Sequence, residues 1–388
     1  MKIYSPKVSE VFVDMEEKSM VVTPEMQYAT PNLTEAFEAA NKPYADDPEG
    51  YFKYLANSHH AVTHNWGTAN YSVLPGNGNK AMLIFPGFSD IAPKRNYEFM
   101  YGYTQKDHPS IMDKIIGAPN RQSQMVKSAT TSEVLKALGH DMTVLTIYNI
   151  LPTAAFTFTE QLQMARGDFS ALGKIVETVV DDAQDRLHGR KSETQFDKLH
   201  GFGMSLGSSY LIGAAAETKR DGRRDILSVT VQEPILAQSG VFKLLGNFLG
   251  SDAIGGKSTA EAGKDYRQVG TIHQSELRAK VDRAGNEPLW LFRAAMAGLR
   301  LRNRGMTHPQ KNQTIPALHY LAEQGVPLLA AFGENSGMSV GTENLLPKGT
   351  DVLHIRSVKG GQAPHLIDEH EPAVVFTAAT GIQRATRD

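Results

Sequence analysis

The chain has 388 residues, 41% hydrophobic and 21% charged, enough to bury a large core as one domain or as a domain with an inserted cap. Its 40 lysines and arginines against 42 aspartates and glutamates leave a formal net charge of −2, which argues against a nucleic-acid partner held through phosphate contacts. Cysteine is absent, which excludes disulfides, thiol nucleophiles and thiolate metal sites.

No apolar run follows Lys2, so no Sec-type signal peptide is expected, and no segment approaches the ~20 apolar residues of a membrane span. The expectation is a cytoplasmic protein with no transmembrane segment. Glu10 to Thr23 carries two β-rich runs around a charged turn and predicts a hairpin. Leu33 to Asn57, broken by Pro43 and Pro48, predicts short helices. TANYSVLP and KAMLIFP predict two strands joined as a hairpin by Gly76-Asn77-Gly78-Asn79. Ile91 to Arg121 has no clean periodicity and clusters Tyr97, Phe99, Tyr101 and Tyr103, as a pocket-forming segment does.

Gln122 to Leu138 reads as a helix ended by Gly139, Met142 to Tyr148 as a buried strand, and Phe158 to Leu187 as helical, divided near Gly167 or Gly173. Phe196 to Arg220 follows, a short strand running into a helix, and Asp225 to Gln232 is a further strand. The alternation stops from Pro234 to Gly325, where the amphipathic run Glu287 to Gly305 sets Leu289, Phe292, Met296 and Leu299 against Arg293, Arg300 and Arg304. It resumes with strands at Val326 to Phe332 and Asp351 to Ser357 and closes with a helix at Glu371 to Thr380. Strands alternating with helices in this way imply an α/β fold with a mostly parallel, doubly wound sheet covered on both faces.

Between the strand and the helix of Phe196 to Arg220 lies Gly203-Met204-Ser205-Leu206-Gly207, a Gly-x-Ser-x-Gly run. A serine at the apex of such a turn is backbone-strained, and the flanking glycines avoid collisions that larger residues would make. The helix starting at Leu206 aims its amide ends at the serine, where negative charge would develop. Gly337 to Gly341 repeats the pattern around Ser339, but TENLLPKG after it is broken too soon by Pro347 and Gly349 to supply that helix.

From about Trp66 onward the chain resembles the α/β-hydrolase superfamily of serine esterases and lipases. Three places carry the resemblance in order: LIFPGF, Leu83 to Phe88; the Ser205 elbow; and His365 in GGQAPHLIDEHEPAVV after the last strand, followed by Glu371 and Pro372. The resemblance implies a core of residues 66–233 and 326–388, a mainly helical cap of 234–325, and an N-terminal extension of 1–65 packed on the core. It further implies Ser205 as nucleophile, His365 as general base and an oxyanion hole made by the amides of Phe88 and Leu206. No cofactor or metal is implied. A serine at the elbow argues against the dehalogenase and epoxide hydrolase branches.

The triad acid is a choice of two. Many relatives end the penultimate strand with Gly-x-x-Asp, and the matching run Gly333-Glu334-Asn335-Ser336 has serine in the last place. Glu334 lies in that loop; Glu233, before Pro234, resembles the acid placement of pancreatic-type lipases. The implied activity is cleavage of a small carboxylic ester with a hydrophobic portion, with thioesterase, amidase and acyltransferase chemistry left open. The contrasting expectation, prompted by the missing aspartate, is a catalytically degraded hydrolase fold acting as a structural or partner-binding protein. His59, His60 and His64 carry no nearby carboxylate at ligand spacing, so a metal site is not expected there.

Overall fold

The computed structural model describes residues 8–14, 19–22, 46–47, 50, 54–55, 57–64, 67–87, 124–148, 158–189, 195–234, 236, 313–333, 341–357 and 371–386. Ten strands form one sheet among these residues, in the spatial order β2-β1-β10-β9-β8-β7-β5-β6-β4-β3. They are β1 (Val8–Asp14), β2 (Ser19–Val22), β3 (His59–His64), β4 (Gly67–Leu74), β5 (Lys80–Phe85), β6 (Thr143–Tyr148), β7 (Lys198–Met204), β8 (Asp225–Gln232), β9 (Leu328–Gly333) and β10 (Asp351–Ser357). The run from β1 through β10, β9, β8, β7 and β5 to β6 is parallel throughout. Antiparallel pairs close both ends, β1 with β2 and β6 with β4 followed by β3.

The central strands are buried on both faces, which is why they read as nearly unbroken apolar runs: every residue of TVLTIY in β6 is buried, as are all but the first of KAMLIF in β5. Helices cover both sides. On one side lie α3 (Ser170–His188), α4 (Leu206–Asp221) and α5 (Thr314–Glu323), with α2 (Phe158–Ala165) leading into α3. On the other lie α1 (Gln124–Ala137) and α6 (Glu371–Ala385). Alternation along the strands sorts the side chains between the two. Leu83, Phe85, Leu145, Leu199, Val229 and Val231 join the main apolar core with Leu172, Val176 and Ile212 of the first helical layer.

The opposite side chains of the same strands include a buried polar series, Thr146, His200, Ser228, Thr230 and Gln232. Thr146 Oγ1 donates to Ser128 Oγ of α1 at 2.7 Å, and His200 Nδ1 meets Ser228 Oγ at 2.8 Å. Burial, helped by the charges of Lys80 and His140, pushes the His200 imidazole down to about 4.

One feature departs from the sequence expectations. The loop at Gly76-Asn77-Gly78-Asn79 does not close a hairpin, because β6 lies between β4 and β5. The loop instead skirts the start of β6: a Cβ at Gly76 would stand 2.2 Å from the backbone of Met142, and Asn77 N donates to Asp141 Oδ1 at 3.2 Å. In addition, HHAVTH is a strand, with His59 facing Tyr148 and His60 facing Tyr71 at ring distances of 5.8 and 5.7 Å. Neighbouring histidines on a strand point to opposite faces, so they cannot converge on one ion, and no cluster of potential metal ligands occurs among the described residues.

The Glu10 to Thr23 hairpin exists as β1 and β2, pairing Val11 with Val22 and Val13 with Met20. The sheet thus takes β1, β2 and β3 from residues 1–65, with β1 lying beside the last strand, Val8 against Val352. Gly167, at φ +93°, separates α2 from α3, while Gly173 stays within α3 against Glu217. Within 234–325 the structure describes Pro234, Leu236 and residues 313–325, where α5 packs on α4 as the crossover into β9. The cap helix expected at Glu287 to Gly305 and the tyrosines from Tyr97 to Tyr103 lie outside the described residues.

Candidate active site

β7 ends at Met204, α4 begins at Leu206, and Ser205 between them adopts φ +51° and ψ −118°. An L-residue occupies that region only where its surroundings force it, at a cost of roughly 1–3 kcal/mol. The forcing contacts are visible. Ser205 N donates to Gln232 O on β8 at 2.8 Å, Ser208 N donates to Ser205 O at 3.1 Å, and Ser208 Oγ donates back to Gly203 O at 2.9 Å.

The two glycines of the motif have separate steric reasons. A Cβ on Gly203 would stand 2.7 Å from Ser208 Cα, inside the first turn of α4. One on Gly207 would stand 2.2 Å from Phe85 O and 2.4 Å from Pro86 O, where β5 runs out into its following loop. The helix start and the Pro86-Gly87 segment therefore meet backbone to backbone. This contact brings the end of β5 alongside the N-terminus of α4, the end whose free amides attract negative charge.

Beside the serine lies Glu233. The β7–β8 register sets Met204 against Gln232, so the residues that follow, Ser205 and Glu233, stand side by side at the same edge of the sheet. Glu233 is fully buried, its amide donates to Ala331 O of β9 at 2.8 Å, and its φ is +51°. Among the described residues, Ser205 and Glu233 are the non-glycine residues with positive φ. For Glu233 the conformation is doubly unusual, since Pro234 after it favours extended backbone at the residue before. Pro234 O accepts from Leu236 N at 3.2 Å and from Thr342 Oγ1, also at 3.2 Å, reaching across from beyond β9.

A strand–turn–helix elbow with a strained, glycine-flanked serine now stands at the C-terminal edge of a mostly parallel, doubly wound sheet. The fold is the α/β-hydrolase fold. No protein-family model matches the chain, nor does any curated protein. Solved structures similar to it include a bacterial membrane phospholipase A described as a virulence factor, at 15% identity, a TM-score of 0.44, and coverage of 93% of this chain and 99% of that one. An esterase from Pyrobaculum calidifontis is similar at 12% identity, a TM-score of 0.42, and coverage of 94% and 99%. A thermostable carboxylesterase cloned from a metagenomic library is similar at 13% identity, a TM-score of 0.40, and coverage of 88% and 95%. At such values these likenesses bear on neither activity nor substrate; the α/β-hydrolase fold rests on the strand order and the elbow.

Of the site residues expected from sequence, the structure brings Ser205, Leu206 and Glu233 together. Leu206 opens α4, with its backbone at the helix start. Phe88, His365, Glu334 and Ser339 lie outside the described residues. The strained turn at Glu233 and the Thr342 tie were not anticipated. The Glu-Pro pair closing a buried strand was the available signal for the first; the second joins residues 108 apart in sequence and had none. Among the described residues no helix is long and apolar enough to cross a membrane.

Proposed function

We propose that this chain is a serine hydrolase that cleaves carboxylic esters through an acyl-enzyme on Ser205. His365, as general base, takes the Ser205 proton as Oγ attacks the ester carbonyl, and the carbonyl oxygen becomes an oxyanion facing the amides of Phe88 and Leu206. Collapse of that intermediate expels the alcohol, which leaves with the proton held by His365. Water, deprotonated by the same histidine, then attacks the acyl carbon and frees the acid and Ser205.

Glu233 is the acid that orients the imidazole in this reading, in preference to Glu334. The observation that carries the proposal is the pair of adjacent positive-φ residues. Strain is retained where a function needs it, and here it falls on a serine and a fully buried carboxylic residue abreast on neighbouring strands. A carboxylic residue abreast of the serine at this edge of the sheet suits the role of orienting an imidazole. Trp290, Phe292 and their neighbours in the expected cap favour a substrate with a hydrophobic portion.

A fluorophosphonate probe tests the core of the proposal. The wild-type chain is expected to label once per molecule, and Ser205→Ala is expected not to label. No labelling of the wild type favours the degraded-fold reading, and retained labelling in Ser205→Ala moves the nucleophile to another serine such as Ser339.

A further inference from the structure

We infer that Thr342 is a positioning residue for Glu233, holding its strained turn in the conformation that supports the histidine; the inference rests on the triad proposed above. Strained backbone relaxes unless it is fixed from both sides. On the near side Glu233 is fixed by its amide, which donates to Ala331 O at 2.8 Å within the sheet. Beyond Glu233 the turn is held through Pro234 O, which takes one hydrogen bond from Leu236 N within its own loop and one from Thr342 Oγ1.

Of these two bonds to Pro234 O, the second reaches another part of the fold. Thr342 lies at the far end of the loop after β9 and just before the 3-10 turn Glu343–Leu345, and it is fully buried. Its hydroxyl therefore clamps the loop after β8 to the loop after β9 at the edge of the sheet where Ser205 stands. Leu236 N would still donate to Pro234 O if the hydroxyl were removed, so the carbonyl would not be left without a donor. Thr342→Val should consequently cost little stability while freeing the turn to move.

The substitutions Thr342→Val, Thr342→Ser, Glu233→Gln and the double variant Glu233→Gln with Thr342→Val are compared in hydrolysis of 4-nitrophenyl butyrate over a pH series, with urea midpoints measured alongside. Thr342→Val is expected to lower kcat about tenfold with KM little changed, as a small displacement of a supporting group does. The acid limb of its kcat/KM profile should move to lower pH, the direction in which Glu233→Gln moves it, because an imidazole with a weakened anionic partner protonates less readily. Thr342→Ser should restore both, and the double variant should be little slower than Glu233→Gln alone.

A Thr342→Val enzyme with wild-type kcat and pH profile, beside a slow Glu233→Gln enzyme, overturns the role of Thr342 and leaves the triad standing. Wild-type behaviour in Glu233→Gln overturns both. Losses in Thr342→Val that follow its urea midpoint, with the acid limb unmoved, make the residue structural and overturn the inference. If Thr342→Val does not fold, a Thr342→Ser enzyme with an unshifted acid limb upholds it, and one slowed tenfold despite its hydroxyl overturns it.

Discussion

Replacing Gly207 by alanine isolates the contact on which the elbow depends. The added methyl carbon would stand 2.2 Å from Phe85 O, whereas ordinary contact begins at 3.4 Å, so α4 and the segment after β5 must separate by about 1.2 Å. Both partners are backbone, one in the first turn of a helix and the other at the end of a central strand, so no side chain can swing aside. Overpacking of this kind costs about 1–3 kcal/mol. The displacement also falls between the Leu206 amide and the loop leading to Phe88, the two donors assigned to the oxyanion. A shift near 1 Å there is expected to slow fluorophosphonate labelling of Ser205 by about a hundredfold. Urea denaturation and a labelling time course measure the two effects separately. A Gly207→Ala protein with the wild-type midpoint and labelling rate would refute the close packing of helix and loop.

Other outcomes follow from the same structure. Glu233→Gln should reduce ester turnover on the order of a thousandfold, whereas Glu334→Gln should stay within about twofold of wild type; equal, small losses in both would mean neither is the acid. The depressed His200 makes stability depend on pH with a definite sign. The unfolded chain binds a proton near pH 6.5 that the folded chain refuses until about 4, so folding weakens as pH falls through that window, by roughly 3 kcal/mol in all. Urea midpoints from pH 7 to 4 should show that slope, and His200→Gln should flatten it. Arg224, buried with Glu177 and Asp181 against it, is expected to cost about 2 kcal/mol when replaced by methionine, because its charged hydrogen bonds are lost while Glu177 and Asp181 keep Arg223 at 3.1 and 2.9 Å; calorimetry reads the loss as a lower Tm.

How much of this was legible in the sequence depended on how far apart the interacting residues are. The elbow was readable because its reasons are local: Gly203 must clear Ser208 five residues on, and Ser205 must start a helix. The second reason for Gly207 was hidden, since it concerns the end of β5 some 120 residues earlier. Gly76-Asn77-Gly78-Asn79 has the composition of a hairpin turn, yet the partner of β4 is chosen by the sheet: Tyr71 pairs with Ile147 and Val73 with Leu145. HHAVTH escaped notice because histidines and a threonine mask the alternation of an edge strand. Glu233 and Glu334 both stayed open on sequence; the positive φ of Glu233 is imposed only by the assembled sheet, and Glu334 lies outside the described residues.

The hairpin of β1 and β2 carries a consequence for assembly. Val8 pairs with Val352, so the outermost parallel pairing joins two of the most distant segments of the described chain. On the ribosome β1 emerges long before β10 exists, and closing so long a loop is entropically costly until the rest of the sheet is in place. Until then β10 has a bare edge, the kind of surface that recruits a second chain. By pairing with β10, the hairpin covers an edge that would otherwise stand open to a second chain.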